Sequence, residues 1–241
     1  MKKIILTAAL LVFSSFSANA LDRSSFAIFD LTAGLASNSS VFGASAKAEN
    51  YSADTDDTLV ETNTDEGVFN FYSKIIYAAP KVKIILYNFF KLSGYEFTPE
   101  FVTKLVKAFP DNIIGCKDSG YNLFENLKIP NFLIFPGSEA KLLKGLELGC
   151  AGCISAVTNV THSLSRKVFD DFENKEKQTM NTKLIAVRET FDKYNLISGL
   201  HSFKSLHNNI FKNLLPPLVA LSEKEEKELF LKLEELSFHK N

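Results

Sequence analysis

From Val68 onward, apolar and polar residues fall into blocks whose period switches between that of a strand and that of a helix. The spacing predicts a short helix over 71–78, ended by Pro80, and then a β-rich apolar run, Val82-Lys-Ile-Ile-Leu-Tyr87. A loop at Ser93-Gly94 follows. Thr98-Pro99-Glu100 marks the next helix start, with an N-cap, a proline at the first helical position and an acid, and this helix runs to about 109. Three more strands are expected at 112–117, 132–135 and 152–156, with helices at about 121–127, 139–148 and 160–173 after them. The remainder reads as helical over roughly 177–194, 199–213 and 223–236. The last of these opens with the capping box Ser222-Glu-Lys-Glu225, carries Leu229, Leu233 and Leu236 on one face, and is set off by Pro216-Pro217. Strands alternating with helices in this way imply βα units and parallel strands, either in a barrel or in a doubly wound sheet. Neither a G-x-G-x-x-G nor a P-loop occurs, so nucleotide binding has no support.

Upstream of Val68 the pattern breaks down. Residues 21–67 are rich in Ser, Ala, Asn, Thr and Asp, and hold nine acids against Arg23 and Lys47, a net charge of −7. Stretches such as Ala53-Asp-Thr-Asp-Asp57 bury nothing, so this leader is expected to be loop or disorder with one or two possible strands; Phe26-Ala-Ile-Phe-Asp30 is one of its small apolar patches. The first twenty residues have the form of a secretory signal: Lys2 and Lys3, an apolar run from Ile4 to Phe16 short for a bilayer span, and the A-x-A site Ala18-Asn19-Ala20. They predict export to the periplasm or beyond, a mature chain beginning at Leu21, and no helical membrane span after cleavage. Three segments result: 1–20, 21–67 and 68–241.

Over the whole 241 residues, 46% are hydrophobic, a globular composition. The net charge of −1 gives no electrostatic case for nucleic acid. Cys150 and Cys153 form a lone C-x-x-C, and the four histidines lack ligand spacing, so no metal site is expected and the two thiols read as small apolar filler.

Two polar side chains stand where strands end: Tyr87 closes one apolar run and Lys117 the next. Barrel enzymes place their chemistry at the C-terminal ends of strands, and neighbouring strands lie about 4.8 Å apart. A phenol and an amine would thus be held side by side. A lysine desolvated by apolar walls becomes a neutral nucleophile able to form a Schiff base with a carbonyl, and a nearby phenol can move the protons this requires. The bland alternative is a solvated lysine cap beside an ordinary strand tyrosine.

The local strings bear on that choice. Ile85-Leu-Tyr-Asn-Phe-Phe-Lys-Leu-Ser-Gly94, Ile113-Ile-Gly-Cys-Lys-Asp-Ser119, Phe135-Pro-Gly-Ser-Glu139, Gly149-Cys-Ala-Gly-Cys-Ile-Ser-Ala-Val-Thr-Asn159 and Leu214-Leu-Pro-Pro-Leu218 resemble, in order and spacing, motifs of the N-acetylneuraminate lyase and dihydrodipicolinate synthase family. The resemblance covers about 170 residues. It implies an α/β fold, a partial TIM-type (β/α) barrel equivalent to strands 5–8 with C-terminal helices. It further implies a class I lyase acting on a small 2-keto acid and releasing pyruvate, with no metal or organic cofactor. Lys117 would be the Schiff-base lysine and Tyr87 the proton-relaying phenol; Gly137, Ser138, Glu139, Ile154 and Ser155 would bind substrate. For Ser138 and Glu139 a helix cap is an equal reading.

The chain also departs from the family pattern. Phe90 stands at the family's proline, and Leu92 at the arginine of dihydrodipicolinate synthases; Leu92-Ser93-Gly94 is closer to the sialic acid lyase and 2-keto-3-deoxy-sugar-acid aldolase branches. The Gly-Thr-Thr-Gly-Glu type loop that holds the keto acid carboxylate does not occur. A second class of reading is therefore an exported protein without catalysis, a barrel fragment joined to an export leader. In either case strands 82–87 and 152–156 are expected to be the open edges of the sheet, which favours a homo-oligomer.

Overall fold

A computed structural model describes the backbone of residues 26–30 and all of residues 64–239. The expectations placed on 1–25 and 31–63, which include the signal sequence and most of the leader, lie outside the described residues. The chain divides into two compact units, one ending at Phe135 and the other starting at Pro136.

The first unit is built on parallel strands, with β1 (Phe26–Asp30), β2 (Lys83–Asn88), β3 (Ile113–Asp118) and β4 (Leu133–Pro136) in the spatial order β1-β2-β3-β4. Strand β1 pairs with β2 from Phe26↔Lys83 to Asp30↔Tyr87. The expected open edge at 82–87 is thus corrected: β2 is an inner strand with a neighbour on each side. Its run of buried Ile84, Ile85 and Leu86 suits a strand covered on both faces. Gly115 in β3 is where β4 comes closest, since a Cβ there would lie 2.5 Å from the Leu133 carbonyl oxygen.

Helix α1 (Asp65–Ala78) begins six residues before its expected start. Thr64 caps it by accepting the Gly67 N–H at 3.1 Å, and Asp65 and Glu66 lie at the positive end of the helix. Val68, Tyr72 and Ile76 form its buried stripe. The single turn α2 (Phe90–Ser93) closes on Gly94, whose φ of 65° is left-handed. Helix α3 (Pro99–Ala108) has the expected Thr98 cap. Tyr95, Phe97 and Phe101 pack edge to face or tilted at 5.1–6.1 Å between ring centroids, and Tyr72 joins Phe97 at 6.3 Å. The helix expected over 121–127 is replaced by bends and turns. Tyr121 has φ 62°, which breaks the helical path, and Asp118 takes the N–H groups that a helix would begin with.

The second unit is helical. A 3₁₀ turn, Glu139–Lys141, leads into α4 (Leu142–Glu147), and α5 (Thr158–Glu173), α6 (Asn181–Phe191), α7 (Leu196–Ser205) and α8 (Glu223–Glu235) follow. The strand expected over 152–156 is corrected to an extended segment without a ladder. Ile154 donates its N–H to the Pro136 carbonyl at 3.1 Å. The carbonyls of Ser155 and Ala156 turn instead to the first turn of α5, accepting from Thr158 Oγ1 and from the main-chain and side-chain nitrogens of Asn159.

Two apolar clusters hold this unit. Val187, Phe191, Leu200, Phe203, Leu229 and Leu233 form one, and Leu142, Leu146, Cys153, Val168 and Leu184 the other. Cys150 and Cys153 are buried thiols outside any disulfide, as apolar filler should be. Burial, and then the Glu139 charge, push the Cys153 thiol well above its ordinary pKa. The Ser222–Glu225 capping box at α8 is complete in both directions. Among the described residues no helix is long and apolar enough to cross a membrane.

Candidate active site

Strands β2 and β3 set the first pair of candidate residues opposite each other, since Tyr87 and Lys117 are register partners in the parallel ladder. Both are half-buried. The Lys117 ammonium Nζ lies over the Tyr87 ring, 3.8 Å from its centroid, within the range of a cation–π contact. Phe89 stacks on the same ring, with centroids 5.9 Å apart. An amine on an aromatic face at the carboxyl end of a sheet is placed to meet a carbonyl with a phenol beside it.

Directly after these two residues, on the opposite face of the strands, come Asn88 and Asp118, both fully buried. Asn88 Nδ2 donates to Asp118 Oδ1 at 2.8 Å and to Asn122 Oδ1 at 2.6 Å, while Asn88 Oδ1 accepts the Phe97 N–H at 3.1 Å. The main-chain carbonyl of Asn88 accepts from Ser119 and Gly120. The Asp118 carboxylate accepts the N–H groups of Tyr121, Leu123 and Phe124 at 2.9–3.0 Å. Asn122 Nδ2 closes the circuit on the Phe97 carbonyl at 2.8 Å. The sequence reading passed over Asn88 and Asp118, although both stand in the motif strings. The available signal was a polar residue at the second of two successive strand-end positions, where alternation turns it inward.

In the second unit, Ser138 is the cap of the 3₁₀ turn, accepting the Ala140 N–H at 3.3 Å, so the cap reading holds there. Glu139 is wholly buried. Its Oε2 accepts from Ser155 Oγ at 2.5 Å and pairs with Arg188 Nη1 at 3.2 Å, and its Oε1 accepts from Thr161 Oγ1 at 3.3 Å. Arg188 Nη1 also reaches Ser155 Oγ at 2.9 Å, and its Nε lies 2.9 Å from both Asp192 oxygens. The structure thus brings Glu139 and Ser155 together and adds Thr161, Arg188 and Asp192, which the sequence reading did not single out. Gly137 and Ile154 lie next to them in the chain, Gly137 half-buried and Ile154 buried. The carboxylate of Glu139 has its oxygens engaged inside the protein.

Comparison with known proteins bears on the family and the fold. The Dihydrodipicolinate synthetase family matches residues 59–236. The chain belongs to this family. Among curated relatives of the family, 4-hydroxy-tetrahydrodipicolinate synthase of Thermus thermophilus is 32% identical over 99 residues, 39% of this chain and 33% of that protein. A probable 2-dehydro-3-deoxy-D-pentonate aldolase of Escherichia coli is 28% identical over 166 residues, 63% of this chain and 54% of that one. The chain therefore spans a third to just over half the length of these relatives.

Family structures are similar at the level of fold. The dihydrodipicolinate synthase of Cyanidioschyzon merolae, solved with lysine bound, superposes with a TM-score of 0.63 at 20% identity, over 73% of this chain and 62% of that one. A prophage protein of the family from Escherichia coli K12, solved with pyruvate, gives 0.59 at 21% identity, over 73% and 63%. These neighbours are TIM barrels, and the chain carries a partial α/β fold of that type with a parallel sheet and helices.

Proposed function

We propose that the chain carries the Schiff-base centre of a class I lyase that cleaves and re-forms a carbon–carbon bond in a 2-keto acid, releasing pyruvate. The Lys117 ammonium first gives up a proton, the resulting amine attacks the keto carbon, and loss of water from the carbinolamine leaves an iminium. The electrons of the breaking carbon–carbon bond flow into that iminium, an aldehyde departs, and the resulting enamine is protonated and hydrolysed to pyruvate and free lysine. Tyr87 moves the protons, and the iminium is the electron sink, so the chemistry needs neither metal nor organic cofactor. The single observation that carries this reading is the placement of Lys117 Nζ over the Tyr87 ring at paired strand ends.

Membership of a family whose relatives are named as synthases and sugar-acid aldolases supports the same class. Leu92-Ser93-Gly94 favours the aldolase branch. Gly137, Ser138, Glu139, Ile154 and Ser155 are proposed to serve the substrate, with Glu139 acting through Ser155 because its own oxygens are engaged internally. We further read the protein as exported through its first twenty residues and as a homo-oligomer that pairs through the ends of its sheet.

Incubation with 2-keto-3-deoxy sugar acids, with pyruvate release followed by a coupled lactate dehydrogenase assay, tests the activity. Release that disappears in Lys117→Arg is expected, because a guanidinium stays protonated and forms no imine. Release that persists in that variant contradicts the assignment.

A further inference from the structure

We propose that Asn88 and Asp118 are positioning residues, a buried latch that fixes Tyr87 against Lys117 at the ends of β2 and β3. The proposal rests on the Schiff-base reading and deepens it. Asn88 follows Tyr87 and Asp118 follows Lys117, so each latch residue shares a peptide bond with the residue whose side chain it would hold. The two latch side chains bond directly at 2.8 Å, which adds a side-chain contact at the last register pair of the two strands. The amide of Asn88 uses both donors and its acceptor, and the Asp118 carboxylate takes three main-chain N–H groups besides the amide. A network satisfied to this degree has one arrangement and resists others.

Gly120 shows how tightly the latch is closed. A Cβ at that position would lie 2.8 Å from Asn122 Oδ1 and 2.9 Å from Asn88 Nδ2. Both distances are shorter than a carbon can approach a polar atom, so one methyl group there acts as a wedge against Asn88 and the Asn122 that it bonds. Its three nearest atoms belong to Asn122 and Asn88, not to Tyr87 or Lys117. The consequence for chemistry is geometric: a shift of the order of 1 Å in the position of a reacting group lowers a rate by about a hundredfold. The latch therefore acts on imine formation itself and leaves the affinity for pyruvate alone.

Three variants test this: Gly120→Ala, Asn88→Asp, which sets two carboxylates together, and the exchange Asn88→Asp/Asp118→Asn, which returns one amide and one carboxylate to the pair. Two readouts are needed, both normalised to the folded fraction. The first is the rate of pyruvate trapping by borohydride on Lys117. The second is the pH profile of Lys117 acetylation by limiting acetic anhydride, mapped by mass spectrometry with the exposed Lys74 and Lys107 as internal references.

In Gly120→Ala and Asn88→Asp the limiting trapping rate is expected to fall about tenfold or more with half-saturating pyruvate unchanged. The Lys117 acetylation profile should shift while those of the reference lysines stay in place, and the exchange variant should move both readouts back toward the wild type. If the wild type traps no pyruvate but the acetylation profiles shift as described, the aldolase reading fails and the latch stands. Profiles that superimpose on the wild type in the single variants overturn the latch, whatever trapping shows. If Gly120→Ala does not fold, Asn88→Asp and its exchange partner decide between the same outcomes.

Discussion

Two carboxylates of the candidate regions are fully buried, Asp118 in the first unit and Glu139 in the second, and they are held in opposite ways. Asp118 is held mainly by main-chain N–H groups three to six residues ahead of it, with one amide from the neighbouring strand. Glu139 is held by side chains from 16, 22 and 49 residues away, those of Ser155, Thr161 and Arg188. Main-chain donors survive every substitution except proline, whereas a side-chain donor is lost in any change that shortens or replaces it. The strand-end region thus owes its order to a turn, and the helical region owes its order to the packing that brings α6 to the 3₁₀ turn.

The largest effect expected from this difference is at Arg188. Arg188→Met leaves Glu139 buried without its cation and should destabilise the protein by about 3–5 kcal/mol, because an unpaired buried charge retains its full desolvation penalty. Adding Glu139→Gln should recover part of that loss. Equal stability of the single and double variants in chemical denaturation would show that the pair is not coupled. Asp118→Asn should cost less, about 1–3 kcal/mol, since the amide oxygen still accepts from the turn while one donor meets N–H groups. A larger loss at Asp118 than at Arg188 would reverse the comparison.

How far these features were legible in the sequence follows from the same contrast. Tyr87 and Lys117 were legible because each closes an apolar run, and strand ends in parallel sheets pair in a fixed way. Asn88 and Asp118 were not, because half of their side-chain partners are backbone groups of 121–124, within the segment expected to be a helix. The left-handed Tyr121 that turns those N–H groups toward Asp118 leaves no mark in residue type. Arg188 was equally hidden, an ordinary cation on a helix until its partners 33 and 49 residues earlier are brought to it. Gly152 to Ala156 looked like a strand from its place in the strand–helix alternation; its last two carbonyls serve the start of α5 instead. By contrast, the Thr98 and Ser222 caps and the buried Leu229 and Leu233 followed directly from pattern, since caps and helix faces are local.

Local stabilisation of the helical unit should be smaller and separable. Ser222→Ala removes the side chain that accepts the Glu225 N–H and should cost about 1 kcal/mol, read as a lowered midpoint in urea with an unchanged slope. A change in slope, or no change at all, would mean that α8 does not depend on its cap.

The unit should also respond to acid. A hydrogen bond from Arg166 holds Asp170 below its ordinary pKa of 3.8, one from Lys167 does the same for Asp171, and those from Ser222 hold Glu225 below 4.5. A depressed folded-state pKa gives stability that is present above the ordinary value and is lost as pH falls through the folded one. Melting temperatures followed by helical circular dichroism should therefore hold at pH 6 and fall once the pH drops below about 4.5, with Glu225→Gln blunting the response. A melting temperature that rises on acidification would contradict the assigned directions.

The central claim is that Lys117 is the nucleophile. Pyruvate and borohydride, followed by intact-mass and peptide analysis, test it most directly. The account predicts one reduced pyruvate adduct per chain, located on Lys117 and absent from Lys117→Arg. No adduct, or label spread over surface lysines and retained in that variant, would contradict it.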